Sequence, residues 1–304
     1  MKVVEENIQI NASTGYEAGQ ETEKPESPWK TMFLMTIRNK AAMVGLVIIV
    51  ILVFIAFFGK LIMPYDPYSG ELSESLKGPS AQHIMGTDEQ GRDIFSRVID
   101  GTKISLRVGV AAVAIALTMG ILLGSVAGYY SGRVDTLIMR VMDIMLAFPS
   151  LLLAIAFMSA LGKGIDKAII AISIVTIPEY ARIIRGTILS IKENEYVQAA
   201  RVIGNNDAAI IFRHILPNVI SPIIVRATLG VSTAILETSA LGFLGLGVQP
   251  PLAEWGSMLG AGRGYFYNAP HIVLFPGIAI TITVLAFNLL GDGLRDALDP
   301  KSRK

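Results

Sequence analysis

The chain has 304 residues, of which 52% are hydrophobic and 17% charged, with a formal net charge of +1 and a mean hydropathy of +0.54. Ordinary soluble domains carry about 25% charged residues, so charge is what this chain lacks. The composition excludes global disorder. The absence of cysteine excludes a disulfide scaffold, thiol catalysis and cysteine metal sites, and the near-zero net charge shows no bias toward nucleic acid.

In chain order, residues 1–40 are polar and Glu-rich, with Pro25 and Pro28. They read as an N-terminal segment that is partly disordered up to Trp29, after which Arg38 and Lys40 approach a membrane surface. Six apolar windows follow: Ala41–Phe58, Val108–Gly128, Val141–Leu161, Ala168–Ile184, Val219–Leu236 and Ile272–Leu290. Together they hold only four of the 51 charged residues: Asp143, Glu179, Arg182 and Arg226. Crossing a bilayer takes about 20 predominantly apolar residues in a helix, which satisfies its own backbone groups. The chain is therefore expected to be an all-α polytopic membrane protein with a six-helix transmembrane domain over 41–291 and a tail over 292–304. The fourth window, broken by Pro178 and Glu179, reads as a kinked span lined by neighbours.

Two polar segments are long enough to act. The first, 59–103, leaves the membrane through Met63-Pro64-Tyr65-Asp66-Pro67 and ends in Gly86-Thr87-Asp88-Glu89-Gln90-Gly91-Arg92-Asp93. Helical spacing then begins at Ile94, with Thr87 or Asp88 as the expected cap. This segment reads as a structural cap over the bundle rather than a direct substrate contact. The second segment, 185–218, reads as a helix–turn–helix. Asn194 is its expected N-cap and Glu195 lies in the first turn; Gly204-Asn205-Asn206 forms the turn, and Asp207 caps a second helix. Its small residues Ala199, Ala200 and Gly204 permit close approach by a partner, although a plain tight loop would have the same features.

Lys and Arg assign the sides. With six spans, 16 fall on the side that holds both termini and the 185–218 loop, and nine on the other. The positive-inside rule makes the first side cytoplasmic, so 59–103 is external.

Ionisable groups at membrane depth are functional candidates. Arg226 and Glu237 share a face of the fifth span but stand too far apart to pair with each other. Local ion pairs are expected for Asp143 with Arg140, and for Glu179 with Arg182 or Arg185. Gly242, Gly245 and Gly247, followed by Pro250-Pro251, read as a packing notch or as a re-entrant gate. The three histidines, His83, His214 and His271, lie in different loops, so no metal site within the chain is expected.

Glu195-Tyr-Val-Gln198-Ala199-Ala200-Arg201-Val-Ile-Gly204, with Leu216-Pro217 downstream, resembles the Glu-Ala-Ala loop of ABC importer permeases. Gln198 stands where that pattern has glutamate, and His214 where it has isoleucine. The stretches 86–97, 142–153 and 241–256 are similar to the second permease subunit of dipeptide, oligopeptide and nickel importers. The resemblance covers about residues 30–300. It implies a type I ABC importer permease fold in the plasma membrane, and a subunit that is not itself an enzyme. The implied partners are a second homologous permease, two ABC ATPases that bind ATP and Mg and dock on residues 195–204 and 216–217, an extracytoplasmic substrate-binding protein, and membrane lipid. No Gly-x4-Gly-Lys-Ser/Thr phosphate loop occurs in the sequence, which agrees with ATP being handled by other chains. The implied cargo is small peptides, with nickel chelates, glutathione or oligosaccharides as alternatives. A secondary transporter is the competing class, though no clear internal repeat supports it. Arg226, Glu237, Gly245 and Gly247 remain candidates for the pathway or its gate.

Overall fold

The computed structural model describes residues 36–298. The expectations for the N-terminal segment up to Trp29, and for the last residues of the tail, fall outside that range. The described residues form helices joined by turns: α1 (Lys40–Phe58), α2 (Ile94–Tyr130), α3 (Gly132–Leu146), α4 (Ser150–Leu161), α5 (Ile165–Ile191), α6 (Glu195–Val202), α7 (Asp207–Phe243), α8 (Trp255–Gly262) and α9 (His271–Leu298). Only isolated bridges, Gly70 with Arg92 and Thr87 with Asp93, pair extended backbone among them.

Four helices, α1, α2, α7 and α9, are long and apolar enough to cross a membrane. The third window departs from expectation. It is not one straight helix, because α3 and α4 meet at a 95° bend. Pro149 lies at the break and holds extended backbone ahead of Ser150. Its ring disfavours helical geometry at Phe148, so the turn forms there. Counted together, α3 and α4 make a fifth candidate span. α5, which holds the fourth window, has 27 residues, but Asp166, Lys167, Glu179, Arg182 and Arg185 interrupt its apolar run. Length and composition therefore support four spans, or five with the bent pair, rather than six.

Glycine sets the closest helix contacts. Gly120, Gly124 and Gly128, spaced four apart on α2, lie against Tyr180, Ala181, Ile184 and Ile188 of α5. A Cβ on Gly124 would sit 2.6 Å from the Ala181 carbonyl oxygen, so only glycine allows this approach. Tyr180 is wedged between Gly120 and Gly230 of α7 and ties three helices together. α1 and α9 meet in the same way, with Gly45 against the Ala286 carbonyl and Gly293 against Ala42. α7 and α9 share a hydrogen bond from Ser232 to Asn288, 2.7 Å.

The 59–103 segment folds into a compact cap. Asp93, not Thr87 or Asp88, caps α2, accepting from the Ser96 N–H at 2.7 Å. It wins because Asp88 is turned to the buried Arg92 at 2.7 Å and Arg97 at 3.4 Å, while the Thr87 hydroxyl donates to the Glu74 carbonyl. His83 meets Asp93 at 2.9 Å. Tyr68 donates to Asp100 at 2.5 Å, and burial together with that carboxylate pushes its phenol up to about 12. Under the cap a second core gathers around Ile94, Trp255, Met258 and Ile272, distinct from the main core between the long helices.

Candidate functional site

The 185–218 loop is built from its base outward. α6 buries Val197 and Ala200 and exposes the opposite side. Asn194 holds the N-cap position with extended backbone, but it caps through its carbonyl, which accepts from Val197 at 3.0 Å and Gln198 at 3.2 Å, and not through its side chain. Gln198 donates to the Lys192 carbonyl at 3.2 Å. A glutamate could not make that bond, so the departure from the family pattern closes the preceding turn. Gly204 turns the chain with φ +85°. The next helix is capped by Asn206, which accepts from the Ala209 N–H at 2.7 Å. Asp207, the expected cap, is turned elsewhere.

That helix is the start of α7: it winds as a π-turn over Ile210–Ile215 and continues through Leu216-Pro217 without a break. Pro217 has no N–H to give the preceding turn, and a widened turn absorbs the mismatch. Ile210, Ile211 and Ile215 are buried. Val202, Ile203 and Phe212 are left 87%, 77% and 60% exposed. The loop thus has a buried base and a bare apolar tip. Glu195, Ala199, Arg201, Gly204 and Pro217 are exposed as well, while Gln198 and Leu216 are half-buried.

The loop is clasped to the end of α2 by contacts that sequence reasoning missed. Tyr129 donates to Asp207 at 2.6 Å, Arg201 stacks over the Tyr129 ring with its guanidinium carbon 5.2 Å from the centroid, and Lys192 donates to Ser131 at 2.6 Å. The one available signal was an aromatic pair, Tyr129-Tyr130, at the end of an apolar run.

The ion pairs cross between helices, whereas local ones were expected. Asp143 of α3 pairs with Arg182 of α5 at 2.7 Å, not with Arg140. Arg185 takes Asp135 through two nitrogens, at 2.5 and 2.6 Å. Glu179 pairs with Arg226 of α7, not with Arg182 or Arg185. The bend at Pro149 and the glycine-tight approach of α5 to α2 bring these carboxylates and guanidiniums together, which helical spacing alone does not. Arg226 lies 6.0 Å from the Tyr180 ring centroid and opens on a groove of about 460 Å³ lined by Ile183, Pro222, Val225, Leu229 and Arg295. Glu237 is elsewhere: buried, beside Ser150 at the start of α4, with one carboxylate oxygen lacking a hydrogen-bond partner. The structure does not bring Arg226 and Glu237 together.

The glycine cluster ends α7. Gly245, at φ +74°, donates to the Gly242 carbonyl at 2.9 Å while Leu246 donates to that of Leu241 at 2.9 Å. This is the paired closure that needs a left-handed residue, so glycine stands there. Gly247 packs on the backbone of Gly242. Gly242 and Gly256 let α8 lie against α7, where Glu254 is fully buried and caps α8 through Gly256 and Ser257, both at 2.8 Å. Burial pushes the Glu254 carboxyl up to about 7, although both N–H donors pull it down. His83 and His271 converge on the cap, one on Asp93 and the other 3.2 Å from the Thr87 carbonyl. Among the described residues no group of three or more His, Cys, Asp or Glu could hold a metal.

Crossing helices with charges paired between them define a polytopic membrane protein. Comparison with known proteins agrees. Residues 120–304 match the family described as binding-protein-dependent transport system inner membrane component, and residues 27–79 match the N-terminal TM domain of oligopeptide transport permease C. The chain is 51% identical over 91% of its length, and 91% of the relative's, to the dipeptide transport system permease protein DppC of Alkalihalophilus pseudofirmus. It is 47% identical to the di/tripeptide transport system permease protein DppC of Pseudomonas aeruginosa (90% and 93% covered), and 45% to the glutathione transport system permease protein GsiD of Pectobacterium atrosepticum (90% and 92%). Among solved structures, a chain of the inward-facing MetNI methionine ABC transporter shares the fold, with a TM-score of 0.56 at 16% identity over 68% of this chain and 98% of that one. The chain belongs to the family of inner-membrane permease components of binding-protein-dependent ABC importers, within its C-type dipeptide and oligopeptide branch.

Proposed function

We propose that this chain is one half of a permease heterodimer that carries small peptides across the plasma membrane, driven by ATP hydrolysis on two partner ATPases and supplied by an extracytoplasmic binding protein. Its high identity along nearly the whole chain to a dipeptide permease carries the cargo assignment. Glutathione, itself a tripeptide, is the second reading, favoured by relatives that transport it. The bare apolar tip of the loop, with Val202 and Ile203 at the end of α6 and Phe212 at the start of α7, supports docking of an ATPase there. Six spans with both termini cytoplasmic is the topology we favour. Three of the five charges on α5, Glu179, Arg182 and Arg185, are matched by Arg226, Asp143 and Asp135 on neighbouring helices, so they need not face lipid. Arg226, on its open groove, is the pathway candidate best supported. Gly245 and Gly247 have backbone and packing duties that account for them without a gate.

The test is uptake into proteoliposomes. Dipeptide accumulation should require both permeases, the ATPases, the binding protein and ATP, and competition between dipeptide and glutathione decides between the two cargoes. Gradient-driven uptake by this chain alone would overturn the proposal.

A further inference from the structure

α2 is unusual among the long helices. It runs 37 residues from Ile94 to Tyr130 without a proline, whereas α5, α7 and α9 each contain at least one and the proline-free α1 has only 19 residues. At about 1.5 Å per residue it is about 55 Å long, well beyond a hydrocarbon core of about 30 Å. Both of its ends are fastened to polar structures. At the external end Asp93 caps it, Arg97 donates to the Pro67 carbonyl at 2.7 Å, and the buried Trp255 indole donates to the Val98 carbonyl at 3.0 Å. At the cytoplasmic end Tyr129 holds Asp207 and lies under Arg201, while Ser131, one residue beyond the helix, takes Lys192. Between the ends, the Gly120-Gly124-Gly128 stripe leaves no slack against α5.

We propose that α2 is a rigid strut that transmits the state of the external cap to the ATPase-facing loop, with Tyr129, through Asp207, as the positioning residue at its cytoplasmic end. The inference rests on the reading of 185–218 as the docking loop. A helix without a proline hinge, held against α5 over 120–128 by its own glycines, moves as one body. A binding protein that shifts the cap therefore shifts Tyr129. Asp207 begins α7, and Arg201 lies on α6, so one phenol reaches both arms of the loop.

The test uses the complete transporter with its binding protein, and reads the ratio of binding-protein-stimulated to basal ATP hydrolysis together with the amount of ATPase that co-purifies. Tyr129→Phe removes the hydroxyl but keeps the ring under Arg201. It should lower the ratio about tenfold, the scale of one hydrogen bond to a charged acceptor. Asp207→Ala should do the same, and the double variant should fall no further. Asp207→Asn still accepts the phenolic proton and should stay within about twofold of the unaltered protein. Trp255→Phe, at the opposite end of α2, should also lower the ratio. An unchanged ratio in Tyr129→Phe would overturn the strut. So would additive losses in the double variant, a Trp255→Phe ratio equal to that of the unaltered protein, or a Tyr129→Phe complex that loses its ATPases. Failure of the docking reading looks different, because a loop-tip variant would then keep its ATPases and its stimulation.

Discussion

Arg226 shows what a single position reveals and what it conceals. A guanidinium seven residues into an apolar window costs about 2.5–3.5 kcal/mol on insertion scales unless it is paired or hydrated. That a partner was needed was legible; that the partner is Glu179 was not, because 47 positions separate the two and only the packing of α5 on α7 closes the gap. The side chains are 28% and 41% exposed, so the pair is weaker than a buried one. A double-mutant cycle between Arg226→Ala and Glu179→Gln should give a coupling of about 1 kcal/mol, nearer the surface range than the 3–5 kcal/mol of a broken buried pair. Arg226→Ala should reduce uptake, and adding Glu179→Gln should restore part of the assembled complex without restoring transport, if the groove beside Arg226 is part of the path. Unchanged uptake at normal expression would remove Arg226 from the pathway. The pairs Asp143–Arg182 and Asp135–Arg185 follow the same logic. Helical spacing offers i and i+3 neighbours, but a pair with a residue on an adjoining helix can meet with better geometry and tie two elements together.

At the scale of elements, the α6 hairpin was nearly legible. Its helix, its Gly204 turn and its small residues follow from capping and composition. The exchange of cap from Asp207 to Asn206 did not, because it depends on Tyr129 arriving from α2. A Cβ at Gly204 would meet nothing within 4 Å, so substitutions there act on the backbone and on whatever docks. Gly204→Ala should therefore report only the cost of a left-handed alanine, about 1 kcal/mol, while Gly204→Asp adds charge to the tip. The expected outcome is that Gly204→Asp loses ATPase co-purification and stimulated hydrolysis well beyond Gly204→Ala. Equal behaviour of the two would show that the tip does not dock an ATPase. The bend between α3 and α4 was the element most misjudged. Pro149 was visible in the window, but apolar composition alone does not distinguish a kinked span from one turned through 95°.

At the scale of the whole molecule, orientation rests on the distribution of Lys and Arg. A reporter fused after Lys304 that is active only in the cytoplasm should be active, and one that works only outside the cell should be silent; the reverse pattern would invert the topology. The chain by itself determined that it belongs in a membrane, where its apolar runs lie and which polar segments are large enough to act. These properties are local sums over hydrophobicity and charge, and hold whatever the neighbours are. Only the tertiary structure decided which carboxylate meets which guanidinium, that the third run is broken, that α2 reaches from cap to loop as one helix, and that Gly245 closes a helix end. Those depend on the angle and distance at which helices pack, set here by glycine stripes and one proline whose effects appear only when a second helix is beside them. The low charged fraction met at the start therefore averages two unlike regions. Its few membrane-depth charges are spent joining one helix to the next.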